Sequence, residues 1–92
     1  MYRYSFSKNL LKTLQKISKK DIGAYSNITK KIKEICNSQN INHYKNLKKP
    51  LENYKRVHIN THFVLLFRIE RNVIIFEDYD YHDVIYSKKS KK

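Results

Sequence analysis

Apolar and polar positions alternate from Tyr2 to Ser7, with Tyr2, Tyr4 and Phe6 set against Arg3 and Ser5, and this period of two predicts an opening strand. The period then lengthens. Ser7 is placed to cap a helix that carries Leu10, Leu11, Leu14 and Ile17 on one face and Lys8, Lys12, Lys16 and Lys19 elsewhere, ending near Lys20. Asp21 is placed to cap a second helix, in which Ile22, Tyr25, Ile28, Ile32, Ile35 and Cys36 recur at intervals of three and four. From Asn37 to Asn53 the pattern lapses into Asn, Ser, Gln, Lys and the single proline, Pro50, the composition of a solvated loop. Three strands are predicted next, Tyr54–Ile59, Phe63–Ile69 and Val73–Tyr79, with short polar connections at Asn60–His62 and Glu70–Asn72 that imply an antiparallel meander. The β-branched and aromatic density of the second and third is too high for burial on one side, which makes them the central strands. The expected fold class is α+β in two layers: an N-terminal strand, a helical hairpin, then the antiparallel meander and a short closing strand or turn. The hairpin covers one face of the sheet and leaves the other open.

Register decides which side chains share that open face. A three-residue connection at Asn60–His62 puts Val57 and Ile59 with Phe63, Leu65 and Phe67 on the core side, and Arg56, His58 and Arg68 on the open side. A two-residue turn would send Phe63 and Leu65 outward, so the apolar count favours the longer connection. His62 then sits on the turn, while His82 and Tyr86, four residues apart, belong to the closing segment beside the same surface.

Ninety-two residues make one domain, taken as residues 1–87, with the Lys-rich residues 88–92 expected to be a disordered tail. The formal charge of +12 points to a polyanionic partner. Abundant Lys, Ile, Asn and Tyr also suit an AT-rich genome, so charge by itself names no partner. Lys45, Lys48, Lys49, Lys55 and Arg56 matter more, because they lie inside the domain next to the histidines. No stretch approaches the roughly 18–20 apolar residues that span a bilayer, and residues 1–9 lack the apolar run of a signal peptide. The helices carry no Trp or Phe to anchor in lipid, so the expectation is a soluble cytoplasmic protein without a membrane partner. The lone Cys36 has no internal disulfide partner and reads as a small buried apolar residue.

The histidines carry the chemistry. Cleaving RNA without a metal needs a base for the 2′-hydroxyl proton, an acid for the departing 5′-oxygen, and cations for the charge building on phosphorus. Imidazole suits both proton roles because its ordinary pKa, about 6.5, lies near working pH. His58, His62 and His82 are the candidates for those roles, Arg56, Arg68, Lys49 and Lys55 for the cations, and Tyr86 for stacking on a base or orienting the phosphate. A metal site is the competing arrangement, since Glu77, Asp78, Asp80 and Asp83 gather around His82. Neighbours on a strand face opposite ways, however, so Glu77 and Asp78 converge only across a bulge. His58 and His62 form an H-x-x-x-H pair that spans a turn, whereas zinc sites of that spacing use a helix. No metal and no small-molecule cofactor is expected.

These features resemble the RelE/ParE toxin superfamily, and most closely its YafQ-type branch of RelE-like messenger RNA interferases. The likeness is concentrated in KPLENYKRVHINTHFVLLFRIE and YHDVIY, and the order of elements extends it to about residues 1–86. In that pattern a basic or His residue precedes Pro-Leu, as Lys49 does; a His follows the Tyr-Arg-rich strand, as His58 does after Tyr54, Lys55 and Arg56. An ionisable residue opens the next strand, as His62 does, and a final His precedes an aromatic by four, as His82 precedes Tyr86. Two positions depart: the usual His before Pro-Leu is Lys49, and the usual acid opening the strand is His62. The resemblance implies a type II toxin that cuts messenger RNA in the ribosomal A site and is silenced by a cognate, RelB-like antitoxin. It makes His58 and His82 the principal acid–base pair with His62 in support. Arg56 and Arg68 would stabilise the phosphorane, Lys49 would hold RNA together with Lys45, Lys48 and Lys55, and Tyr86 would orient the nucleotide. A ParE-like gyrase poison, or a relative that only binds RNA or antitoxin, shares the fold but needs no set of histidines.

Overall fold

The computed structural model describes residues 2–47 and 52–85. The elements run β1 (Arg3–Phe6), α1 (Lys8–Lys20), α2 (Ile22–Cys36), a 3-10 turn (Ile41–His43), β2 (Lys55–His58), β3 (Phe63–Glu70) and β4 (Val73–Tyr81), with residues 82–85 forming one helical turn. They build one four-stranded sheet in the order β1-β4-β3-β2, with β3 and β4 central as expected. The meander is antiparallel, and β1 joins it parallel to β4, with Tyr4 opposite Ile74 and Phe6 opposite Phe76.

Both helix starts follow from their caps. Ser7 Oγ accepts from Leu10 N at 3.0 Å and donates to Glu77 O at 2.6 Å, so one hydroxyl begins α1 and ties it to β4. Asp21 Oδ1 accepts from Ala24 N at 3.0 Å and begins α2. Leu10 and Leu14 of α1 and Ile28, Ile32, Ile35 and Cys36 of α2 pack on Leu65, Phe67, Ile74, Phe76 and Tyr79. Burial pushes the Cys36 thiol up from its ordinary pKa, in keeping with an inert packing residue. The predicted stripes are wider than the buried ones: Leu11 is 44% exposed although Leu10 and Leu14 on either side of it are buried, so it lies on the flank of the stripe, and Ile22, the first residue of α2, is 75% exposed.

The predicted register is observed. Val57 pairs with Leu65 and His58 with Val64, so Arg56 and His58 face away from the helices. The β3–β4 connection is shorter than predicted, because Glu70 already pairs with Val73. Arg71 and Asn72 make the turn with φ of 51° and 66°, the positive pair that a two-residue hairpin loop requires. Between Leu66 and Phe67 the ladder slips, leaving Glu77 as a bulge on β4.

Two expectations fail. The face opposite the helices is not bare: Leu47, Leu66 and Ile85 form a second buried cluster with Tyr54 packed against it. The segment predicted as a solvated loop from Asn37 to Asn53 is partly structured, since Ile41 and Leu47 are buried and Asn46 bridges Lys55. Leu47 N donates to Tyr54 O and Arg56 N to Lys45 O, so residues 45–47 act as a fifth, short edge beside β2. Isolated apolar residues in a polar stretch carry no periodicity, which is why the pattern missed them.

Candidate active site

The site is built at the end of the sheet where β2 finishes, β3 starts and β4 gives way to residues 82–85. Asn60 shapes it first. Its Oδ1 accepts from His62 N at 2.8 Å and Phe63 N at 2.9 Å, the local bonding by which Asn stabilises a turn. Ile59 N donates to Phe63 O at 3.0 Å and closes the connection. Across the ladder His82 N donates to His62 O at 2.8 Å, so the turn that carries His62 also fixes where His82 leaves β4.

The rings of His58 and His82 consequently stack, with centroids 5.8 Å apart and planes inclined by 13°. Arg56, two residues before His58 on the same face of β2, brings Nη1 to 3.4 Å from His58 Nδ1. The His58 pKa is held below its ordinary value, first by desolvation and then by the charges of Arg56 and His82. Asp83 places Oδ1 3.3 Å from His82 Nδ1. Lys45, opposite Arg56 on the short edge, is exposed on the same side.

Not every predicted residue joins this group. His62 is exposed on the turn and contributes its backbone carbonyl to the site. Arg68 shares the face but lies four residues along β3 from Val64, the partner of His58, about 13 Å away at the rise of a strand. It is already engaged by Glu70 and by Glu77, whose Oε1 is 3.0 Å from Nε. The bulge provides that partner, because it turns Glu77 toward Arg68 while Asp78 accepts from Asn9 at 3.1 Å. Glu77 and Asp78 are thus committed away from any shared ion. Lys55 is on the helix side of β2 and 8% exposed, with Nζ 2.8 Å from Asn46 Oδ1 and 3.1 Å from Tyr44 O. Lys48, Lys49 and Tyr86 lie outside the described residues. The supporting roles of Asn60 and Asn46 went unread in the sequence; an Asn directly after a strand was the available signal for the first.

Lys45 and Lys55 are therefore separable by experiment. Lys55→Ala is expected to cost about 1–3 kcal/mol of stability by leaving two acceptors without their donor, read as a lower denaturation midpoint. Lys45→Ala, at an exposed side chain, should leave that midpoint in place.

Comparison with known proteins decides the family. No family model matches the chain. A protein of Methanocaldococcus jannaschii named "Putative toxin RelE4" is 48% identical over 91 residues, which span 97% of this chain and 95% of that one. The chain belongs to the RelE/ParE toxin superfamily. An uncharacterized protein of Methanosarcina mazei is 42% identical over 88 residues, 94% of this chain and all of the relative. Among solved structures, the YoeB/ParE toxin of Agrobacterium tumefaciens superposes on this toxin with a TM-score of 0.76 at 11% identity, covering 87% of this chain and 98% of the other. YoeB in the heterotetrameric YoeB–YefM toxin–antitoxin complex of Staphylococcus aureus gives 0.71 at 21%, covering 89% and 98%. YafQ of Escherichia coli gives 0.67 at 12%, covering 94% and 99%. At such identities these structures establish the shared α+β fold. No helix among the described residues of this toxin is long and apolar enough to cross a membrane.

Proposed function

We propose that this toxin is a ribosome-associated messenger RNA endoribonuclease in which His58 is the base and His82 the acid. The observation that carries the reading is the stacked pair itself, two imidazoles 5.8 Å between centroids with a guanidinium beside one of them. That spacing lets a phosphodiester sit against both rings.

The roles follow from the neighbours. Desolvation, then Arg56 and His82, favour the neutral form of His58, the form able to accept a proton. The Arg56 contact leaves the lone pair at Nδ1, and at 3.4 Å it is loose enough for a 2′-hydroxyl to displace it. The 2′-oxygen then attacks phosphorus while its proton passes to His58. Arg56 stays beside the phosphorane and offsets its charge. As the bond to the 5′-oxygen breaks, His82 gives that oxygen a proton, leaving a 2′,3′-cyclic phosphate and a 5′-hydroxyl. Asp83 fixes the His82 tautomer by accepting from Nδ1, which assigns proton delivery to Nε2. Lys45, and on the family pattern Lys49 and Tyr86, would hold the message. Arg68, neutralised by Glu70 and Glu77, is better suited to stiffening the hairpin than to the phosphorane.

The charge of +12 supports a large polyanionic partner such as the ribosome, and an acidic antitoxin of the RelB kind would mask the same surface. The YoeB–YefM toxin–antitoxin complex supports that second partner. Primer extension on a defined message in a purified translation system tests the proposal: cuts are expected with ribosomes and not without them. Intact message in both arms would overturn it and favour a binding-only toxin acting on gyrase.

A further inference from the structure

Directly behind the histidines, on the helix side of the sheet, three rings stack in a row. Tyr79 and Phe63 lie 5.0 Å apart at 6°, and Phe63 and Tyr81 4.3 Å apart at 29°. Exposure rises along the row: Tyr79 is 5% exposed, Phe63 partly buried, and Tyr81 54% exposed. The inner rings belong to the core, so the outermost ring is held in place by a rigid backing.

Its position is informative. Phe63 and Tyr81 pair directly across β3 and β4, and the residues next to them, His62 and His82, are joined by the 2.8 Å backbone bond that sets the site. Tyr81 and His82 are adjacent in the chain but leave the end of β4 on opposite faces, so the half-open ring stands across the sheet's end from the proposed acid.

Building on the nuclease reading, we infer that Tyr81 is a stacking platform for a base of single-stranded RNA that flanks the cleavage site where the strand passes the end of the sheet. A ring pre-positioned by two others loses little side-chain freedom on binding, and a flat face accepts any base. Single strands are the fitting ligand because their bases are unstacked and available. Merely covering Phe63 would be met equally by an aliphatic side chain, and that difference supplies the test.

The probe is a short single-stranded RNA, 2′-O-methylated so that it is not cut, carrying 2-aminopurine at one position at a time; stacking quenches its fluorescence. Wild type and Tyr81→Phe are expected to quench at one position, and Tyr81→Leu to lose that quenching with binding weakened about tenfold. Thermal melts of Tyr81→Leu should match wild type, because leucine still covers Phe63. In the ribosomal assay Tyr81→Leu should cut about tenfold less efficiently than wild type, again rescued by Tyr81→Phe. Equal quenching and equal cutting by Tyr81→Leu and wild type would overturn the assignment and leave the nuclease reading intact. So would unchanged cutting with weakened antitoxin binding, which would make Tyr81 a protein contact. Quenching by a wild-type toxin that cuts no message would remove the nuclease reading and keep the platform.

Discussion

Replacing His82 by alanine is expected to lower ribosome-dependent cleavage by roughly 10²–10⁴-fold, the usual cost of removing one side chain that moves a proton in the transition state. His58→Ala should fall in the same range, and the double variant should lose less than the product, because both rings serve one reaction. The melting temperature should barely move, since the 2.8 Å contact that sets the turn is made by the His82 backbone. The pH profile distinguishes the two roles. Because desolvation, Arg56 and His82 hold the His58 pKa below its ordinary value, the neutral base persists to more acidic pH than a free imidazole would allow. The acid limb of kcat/KM should therefore lie below about pH 6.5, with activity lost as pH falls through it. Arg56→Gln removes a charge that favours the neutral ring, so the limb should move upward while the maximum rate drops. Full cleavage by His82→Ala, or a limb that ignores Arg56→Gln, would refute the assignment.

What could be read in the chain and what could not divide along a physical line. The strand periods around Val57 and Leu65 and the caps Ser7 and Asp21 are local signals, and they located the elements and the face that carries Arg56 and His58. Long-range pairing was not legible. Nothing near Lys55 in sequence announces that its ammonium is taken up by Tyr44 and Asn46, on a segment that looked like loop. Nor does alternation reveal the bulge that gives Arg68 to Glu77, since one extra residue reverses the facing of everything beyond it. A cation thus reads the same in sequence whether it is exposed, as Lys45 is, or spent inside the fold. The stack at Tyr81 was hidden for a related reason: its three rings come from two strands and acquire meaning only in register.

The same register makes Phe67 the residue whose loss should cost the fold most. Its ring is fully buried in the middle of β3, 5.8 Å from Phe76 and 5.7 Å, edge-on, from Tyr44. Phe67→Ala leaves a cavity that neighbours on three elements cannot all close, and the expected loss is about 3–5 kcal/mol. A domain of this size has roughly 5–14 kcal/mol in total, so that is a large share of its stability. Urea denaturation should show the midpoint falling by about 2–4 M at an ordinary slope for a small domain. Leu11→Ala is the control: that residue is 44% exposed on α1, and its removal should cost a small fraction of the Phe67 value. Equal midpoints for the two variants would mean that the core is not the one described. The consequence extends to the site, because β3 is hydrogen-bonded to the strand that carries Arg56 and His58 and to the strand that delivers His82. Loss of Phe67 should therefore reduce cleavage through the fraction of molecules unfolded, and a stabilising osmolyte that favours burial should recover that fraction. His82→Ala, by contrast, has no unfolded fraction to recover, so added stability should restore Phe67→Ala and leave His82→Ala impaired.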